Sequence, residues 1–165
     1  MTAVDFVKMT LEMSKGWVMG LAADAKDIAT TVPTPNGGNH PLWCLGHLIY
    51  AEGNIVGKYA KGEANPVAEW AELFDGGTTP LDDASQYPSY DELLAKFEEV
   101  RAATMAYVDT LSDADLDKPS HAEGDMAQWF GTIGACLAAI PIHFGFHGGQ
   151  IADARRAAGK QPLMG

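Results

Sequence analysis

Basic residues and cysteines are both scarce in this 165-residue chain. It has 11 Lys and Arg residues against 22 Asp and Glu residues, so the formal net charge is −11. A surface this acidic repels phosphate backbones, and we therefore expect no nucleic-acid partner. The two cysteines, Cys44 and Cys136, fall far below the cysteine density of a secreted disulfide scaffold, which predicts a cytoplasmic protein.

Long apolar runs and strand-like patterns are also missing. No stretch approaches the roughly 20 apolar residues that a membrane-spanning helix needs, so we expect no membrane anchor. No run of alternating apolar and β-branched residues reaches the quality of a strand. The length and the composition, 47% hydrophobic and 20% charged, are those of an ordinary globular domain. They predict a single all-α domain over residues 1–165.

Four segments carry the apolar periodicity of amphipathic helices. The first covers about residues 2–28, with Phe6, Met13 and Trp17 expected to widen its apolar side. The second begins at residue 39 or 40 and ends near residue 60. The third starts after a capping box at Ser89 and continues to residue 111, and the fourth begins between residues 128 and 132 and ends before Gly159. Two tryptophans are expected in the core, Trp43 and Trp129.

A long connection separates the second and third helices. Residues 62–88 contain prolines and glycines, with one short helical turn expected at residues 67–74. A connection of this length can travel beside a whole helix, so the second and third helices can run parallel. The expected architecture is therefore a four-helix bundle of up-down-down-up topology with a long crossover between helices 2 and 3.

Three histidines are candidates for a metal site. His143 and His147 are four residues apart on the fourth helix, so their side chains are neighbours on one face. His47 lies on the predicted inner face of the second helix and gives the bundle core a third ligand. Three neutral histidines plus water form an open metal site of the type that catalysis needs. Imidazole suits zinc, nickel, copper and iron alike, so the identity of the divalent metal stays open.

Three other kinds of site are excluded by the letters of the sequence. A metalloprotease helix needs His-Glu-x-x-His, but Phe144 follows His143. Di-iron carboxylate bundles need Glu-x-x-His pairs, and no histidine of this chain has Glu three residues before it. A dinucleotide site needs Gly-x-Gly-x-x-Gly after a strand, and this chain has neither.

Four further residues are candidates for the surroundings of the metal. Gln150 falls on the ligand face, where it either orients a ligand or ties helix 4 to a neighbour. Tyr50 and Asn54 either line a pocket beside the metal or pack between helices. Cys44 either adds a fourth ligand that closes the site or is a buried apolar thiol. No residue is assigned a catalytic role, and no general base has a clear placement.

The histidine segments resemble those of a known family. Residues 41–48, Pro-Leu-Trp-Cys-Leu-Gly-His-Leu, hold the second-helix histidine, and residues 143–151 follow the pattern His-x-x-x-His-x-Gly-Gln-Ile, with an Arg-Arg pair and a Gly after it. Both segments are similar to those of the DNA-damage-inducible DinB-like metalloproteins. The resemblance covers essentially the whole chain. It implies a divalent-metal site in an up-down-down-up bundle, often as a homodimer, and known members include transferases and isomerases that use a low-molecular-weight thiol.

Site chemistry and resemblance together lead to three hypotheses for the function. The first is an enzyme that transfers a low-molecular-weight thiol to an electrophile, because a thiol at the open position would lose its proton and become a nucleophile. The second is a metal-dependent hydrolase that activates water at the same position. The third is a non-catalytic binding module in which the metal holds helices 2 and 4 together. The expected partner is a small-molecule thiol or electrophile.

Overall fold

The computed structural model describes residues 1–163, and all regular secondary structure in this part of the chain is helical. Four long and two short α-helices follow in chain order: α1 (Ala3–Ala23), α2 (Pro41–Glu52), α3 (Ala71–Phe74), α4 (Tyr90–Val108), α5 (Ala127–Phe130) and α6 (Ile133–Ala157). Short 3₁₀ turns lie between them, at Lys26–Ile28, Ala68–Trp70, Ala84–Gln86, Asp113–Asp115 and Gly124–Met126. The predicted all-α class is confirmed. Over residues 1–163, none of the helices is long and apolar enough to cross a bilayer.

Polar side chains fix where the long helices begin. Thr2 and Ser89 each form a capping box, and Thr132 accepts a hydrogen bond from the first turn of α6. His40 caps α2 with its ring, because Nδ1 accepts the backbone N–H of Trp43 at 3.1 Å. These caps explain why the helix starts agree with the sequence prediction to within a few residues.

The second helix changes character after Glu52, which the sequence did not predict. The chain continues as a π-helix over Gly53–Lys61. The amide Nδ2 of Asn65 donates to the backbone carbonyl of Tyr50 at 3.0 Å, so a side chain from the following loop intrudes on the helical ladder. A Cβ atom at Gly53 would lie 2.2 Å from Oδ1 of Asn65, so this approach requires glycine. The π-helix therefore depends on the contact with Asn65 and not on the local helical sequence.

The four long helices pack around one another. Helix α1 packs mainly against α6, and α2 packs against both α4 and α6. Residues 62–89 connect α2 to α4 and carry only α3 and two 3₁₀ turns. Phe74 at the end of α3 is fully buried and lies against α2. The crossover therefore reaches the helix that carries His47.

A charged pair lies inside this core. Arg101 of α4 binds Glu52 of α2 through two parallel hydrogen bonds of 2.8 Å, and each side chain is 1% exposed. The same guanidinium donates to the carbonyl oxygen of Leu11 in α1 at 2.6 Å. It also lies 4.6 Å from the centroid of the Phe144 ring in α6. This one arginine of α4 thus contacts the other three long helices.

Two expectations about apolar side chains are wrong. Phe6, Met13 and Trp17 are exposed, and Trp17 keeps 58% of its surface accessible. With Met9 they form a separate line along α1, which we call the α1 stripe, while the buried face of the helix uses the positions Val4, Leu11, Val18 and Ala22. Trp129 is 73% exposed in the short helix α5 instead of being part of the core. Periodicity marked both stripes of α1 as apolar without saying which one is covered.

Candidate metal centre

The three candidate histidines meet between α2 and α6. Nε2 of His143 lies 3.1 Å from Nε2 of His47 and 3.0 Å from Nε2 of His147. His47 and His147 are buried and His143 is partly buried. Within residues 1–163, these three histidines form the group of potential metal ligands, and their ligand atoms all lie within 4.8 Å of one another. Helix α2 supplies one ring, and one face of α6 supplies the other two.

Hydrogen bonds at the Nδ1 atoms of His47 and His147 determine which ring nitrogens can bind a metal. Nδ1 of His47 lies 2.7 Å from the carbonyl oxygen of Phe74, and a carbonyl can only accept. Nδ1 of His147 lies 2.8 Å from Oε1 of Gln150, which is also an acceptor. Both Nδ1 atoms therefore carry the proton, so both Nε2 atoms present a lone pair to the centre.

Burial keeps all three rings neutral. It lowers the pKa of His143 to about 3, with the neighbouring His147 and His47 adding to the effect. The pKa of His147 falls to about 4 for the same main reason, followed by the proximity of His47. Burial also lowers the pKa of His47, although the backbone bond to Phe74 and the charge of Asp75 act in the opposite direction. Neutral imidazole is the form that binds metal.

A divalent ion fits this arrangement of nitrogens. At most one proton, on Nε2 of His143, can be shared among three facing nitrogens, so hydrogen bonding alone leaves one lone pair without a donor. A tetrahedral ion with metal–nitrogen distances of about 2.0–2.1 Å holds its ligand nitrogens about 3.3 Å apart. The observed separations of 3.0 and 3.1 Å are close to that value. The ligand atoms of all three histidines lie within 4.8 Å of one another, so together they could bind one ion.

Packing around His47 holds its ring in place. The Trp43 ring stacks on it with a centroid distance of 4.6 Å and an angle of 9° between planes. Gly46, the residue before His47, lets the crossover approach α2 closely, since a Cβ atom there would lie 2.1 Å from the Phe74 ring. Phe74 can then place its carbonyl on Nδ1 of His47. The glycine before the histidine thus serves the site through the backbone of another segment.

Gln150 connects the site to α2. Its Oε1 atom accepts from Nδ1 of His147 and from Nδ2 of Asn39, at 2.8 and 3.2 Å. The sulfur of Cys44 lies 3.5 Å from the same oxygen and 3.5 Å from the carbonyl oxygen of Asn39, and its single S–H proton can be donated to either. The structure therefore places Gln150 where it orients His147 and ties α6 to the start of α2.

Cys44 lies near the histidines but outside their cluster. Its sulfur contacts Gln150 and the Asn39 backbone, and it is not part of the group of side chains whose ligand atoms converge. Burial raises the pKa of the Cys44 thiol to about 12, which keeps the sulfur protonated. Of the two roles that the sequence left open, the geometry favours the buried thiol.

A cavity of about 300 Å³ opens beside the histidines. Its walls include His47 and His143, together with Tyr50 and Asn54, the two residues predicted to line a pocket there. Tyr59, Asp75, Gly76, Met126, Phe130 and Ala139 also line it, with Ala51 and Ile55. The cavity gives a small molecule access to the side of the cluster formed by His47 and His143.

Comparison with known protein families finds a match over most of the chain. The sequence profile of the DinB superfamily matches residues 16–151, which include His47, His143 and His147. The chain belongs to the DinB superfamily. A search of curated proteins finds no match to it. The resemblance in the histidine segments is thus confirmed as family membership over most of the chain.

Two parts of this DinB-superfamily site escaped the sequence analysis. Asp75 places a carboxylate in the cavity wall, although no acidic residue had a defined placement in the sequence. The carbonyl of Phe74 binds His47 from a segment 27 residues away. The expected helical turn at residues 67–74 was a correct sign that the crossover is ordered there, but its contact with α2 has no local signal.

The bond from Gln150 to His147 yields a test of the site. Replacing Gln150 with Leu removes the acceptor that fixes the ring, and we expect zinc affinity to fall about 10- to 100-fold. Gln150→Glu keeps an acceptor and should retain most of the affinity. Competition titration with a chromophoric chelator measures both, with exposed Gln86→Leu as the matched control. Equal zinc affinity for Gln150→Leu and wild type would contradict the orienting role.

Proposed function

We propose that this DinB-superfamily protein binds a divalent metal ion through His47, His143 and His147 and transfers a low-molecular-weight thiol to an electrophile. The observation that carries the proposal is the convergence of three neutral histidines, two of which, His47 and His143, line a cavity, while the Cys44 sulfur contacts Gln150 instead. Three protein ligands leave a coordination position for a small molecule. Zinc, nickel and iron are the expected metals.

The chain's own residues would perform binding and orientation. A divalent cation held by the three histidines supplies a position for a sulfur ligand and lowers the pKa of that thiol. Phe74 and Gln150 hold two of the rings in the tautomer that presents Nε2. Apolar side chains such as Ile55 and Phe130 line the cavity that the thiol would enter.

The proposed reaction is a substitution at carbon. The S–H proton of the thiol passes to solvent or buffer, and the sulfur lone pair forms the new S–C bond. The bond from carbon to the leaving group, a halide in the simplest substrate, breaks and its electron pair leaves with the halide. No redox partner is needed. His47, His143 and His147 would stay neutral throughout, because their lone pairs are directed to the ion.

An activity panel tests the proposal against its two rivals. Metal-loaded protein is incubated with cellular thiols and an aryl chloride or haloalkane, and in parallel with esters and amides. We expect thiol-dependent conjugation that is abolished in His143→Ala. Thiol-independent hydrolysis with the same histidine dependence would instead show a hydrolase. Full metal content with neither activity would support a metal-stabilised binding module.

We also propose the up-down-down-up order of the bundle and a cytoplasmic location. The topology is supported by the 62–89 crossover, whose short turns leave enough chain to return along α2 before α4 begins. The location is supported by two free, buried cysteines, Cys44 and Cys136.

A homodimer formed through the α1 stripe is our proposal for assembly. The stripe borders a groove of about 370 Å³ between α1 and α6 that has no charged residue in its lining, and a contiguous exposed apolar patch of this kind marks an interaction surface. Light scattering should give twice the 17.6 kDa chain mass for wild type and one chain mass for Met13→Gln with Trp17→Gln. Trp129→Gln, an exposed tryptophan in α5, should stay dimeric. A monomeric wild type would refute the proposal.

A further inference from the structure

The cavity beside the histidines has an uneven distribution of charge. Asp75 is the one charged side chain among the residues that line it, since the two histidines in the lining are neutral. Within residues 1–163, no Lys or Arg forms a salt bridge with this carboxylate. The ammonium of Lys58 lies 5.9 Å from the Tyr59 ring centroid but is outside the cavity lining. The cavity thus presents an acidic group without a built-in counter-ion.

The backbone fixes where this carboxylate stands. Asp75 directly follows Phe74, whose carbonyl oxygen is 2.7 Å from Nδ1 of His47. Its Oδ1 atom accepts the backbone N–H of Gly76 at 2.8 Å, and its carbonyl accepts from Thr78. A turn therefore holds the carboxylate one residue after Phe74, whose carbonyl oxygen contacts the candidate metal ligand His47. Asp75 lines the same cavity as His47 and His143.

Asp75 stands at the solvent-exposed mouth of the cavity, where water screens part of its charge. Most of the remaining wall consists of uncharged side chains such as Ile55, Met126 and Phe130. No second charge in the lining therefore opposes that of Asp75. The charge of Asp75 is felt across the cavity, since it is the second cause, after burial, of the raised pKa of Tyr59.

We infer that the cavity selects thiols that carry a cationic group, with Asp75 binding the cation while the sulfur faces the histidines. This inference rests on the proposed function for the sulfur end of the ligand. An anionic ligand would place its charge against Asp75 and be rejected, and a neutral ligand would gain nothing from it. The ligand class is thus an aminothiol or a thiol with a quaternary ammonium group on a short spacer.

Three probes of matched length separate the charge preference from thiol binding. Thiocholine, 2-mercaptoethanol and 2-mercaptoethanesulfonate share the mercaptoethyl group and differ in charge, and the quaternary nitrogen of thiocholine cannot bind metal. Titration of cobalt-loaded protein, followed by the sulfur-to-cobalt absorption band, measures each dissociation constant. We expect Asp75→Asn to weaken thiocholine binding about tenfold, to leave 2-mercaptoethanol unchanged and to improve sulfonate binding.

Comparing each probe between wild type and variant cancels differences in thiol acidity. Asp117→Asn removes the same charge from an exposed carboxylate that does not line the cavity, and it should behave as wild type. An equal effect of Asp75→Asn on all three probes, or none on thiocholine, would overturn the inference.

A second arm tests the cation site without metal or thiol. Choline and its neutral isostere 3,3-dimethyl-1-butanol are titrated into metal-free full-length protein, and backbone amide shifts around Ala51 and Gly76 are followed. We expect tighter binding of choline, with the difference lost in Asp75→Asn. If no thiol produces the cobalt band, the proposed transferase function fails, while the choline titration still decides on Asp75. Equal binding of choline and the alcohol would refute the cation site.

Discussion

Replacing His147 with Ala is expected to reduce bound zinc from one ion per chain to less than about a tenth of that after dialysis. The lost nitrogen is one of three, and two imidazoles on a buried surface do not hold an ion against water and buffer. His47→Ala and His143→Ala should give the same result, because each removes one of the converging Nε2 atoms. Elemental analysis of the purified variants measures the effect.

His121→Ala is the matched control for these variants. This histidine is exposed in the loop before α5 and takes no part in the cluster. It should retain a full equivalent of zinc. Circular dichroism of every variant separates loss of metal from loss of the fold. Stoichiometric zinc in any of the three single variants, with an unchanged fold, would contradict the assignment.

Replacing Arg101 with Met should destabilise the fold by about 3–5 kcal/mol, the largest effect that we expect from a single change outside the site. The substitution leaves the Glu52 carboxylate buried, 1% exposed, without the cation that pairs with it. It also removes the donor to the carbonyl of Leu11 and the charge over the Phe144 ring. Urea unfolding measures the loss as a lower midpoint at an unchanged slope.

The double variant Glu52→Leu with Arg101→Met separates the cost of an unpaired buried charge from the cost of removing the ion pair as a whole. An apolar pair avoids the unpaired buried charge, so the double variant should be more stable than Arg101→Met alone. A decrease in the free energy of unfolding of less than about 1 kcal/mol for Arg101→Met would show that water reaches Glu52 and that the ion pair is not buried.

Local signals account for the parts of this molecule that the sequence predicted. The i, i+4 spacing of His143 and His147 fixes their common face, because the geometry of one helix decides it. Capping residues such as Ser89 predict the first residue of a helix to within a few positions. His47 was placed on the inner face of its helix by periodicity alone, and the structure brings its ring to the other two.

Long-range contacts account for what the sequence could not predict. The π-helix after Glu52 depends on Asn65, and the tautomer of His47 depends on the Phe74 carbonyl. Arg101 and Glu52 are 49 positions apart, so no periodicity links them. The α1 stripe was misassigned because apolar spacing describes a face of a helix and not the neighbour that covers it.

The central claim is an open three-histidine metal site that accepts a thiol, and X-ray absorption spectroscopy of the zinc-loaded protein tests it most directly. Without added thiol, we predict three nitrogen ligands and one oxygen at about 2.0–2.1 Å, and no sulfur. With 2-mercaptoethanol, one sulfur should appear at about 2.3 Å. A sulfur ligand before any thiol is added would show that Cys44 closes the site, and an unchanged spectrum after the addition would show that the site does not take a thiol.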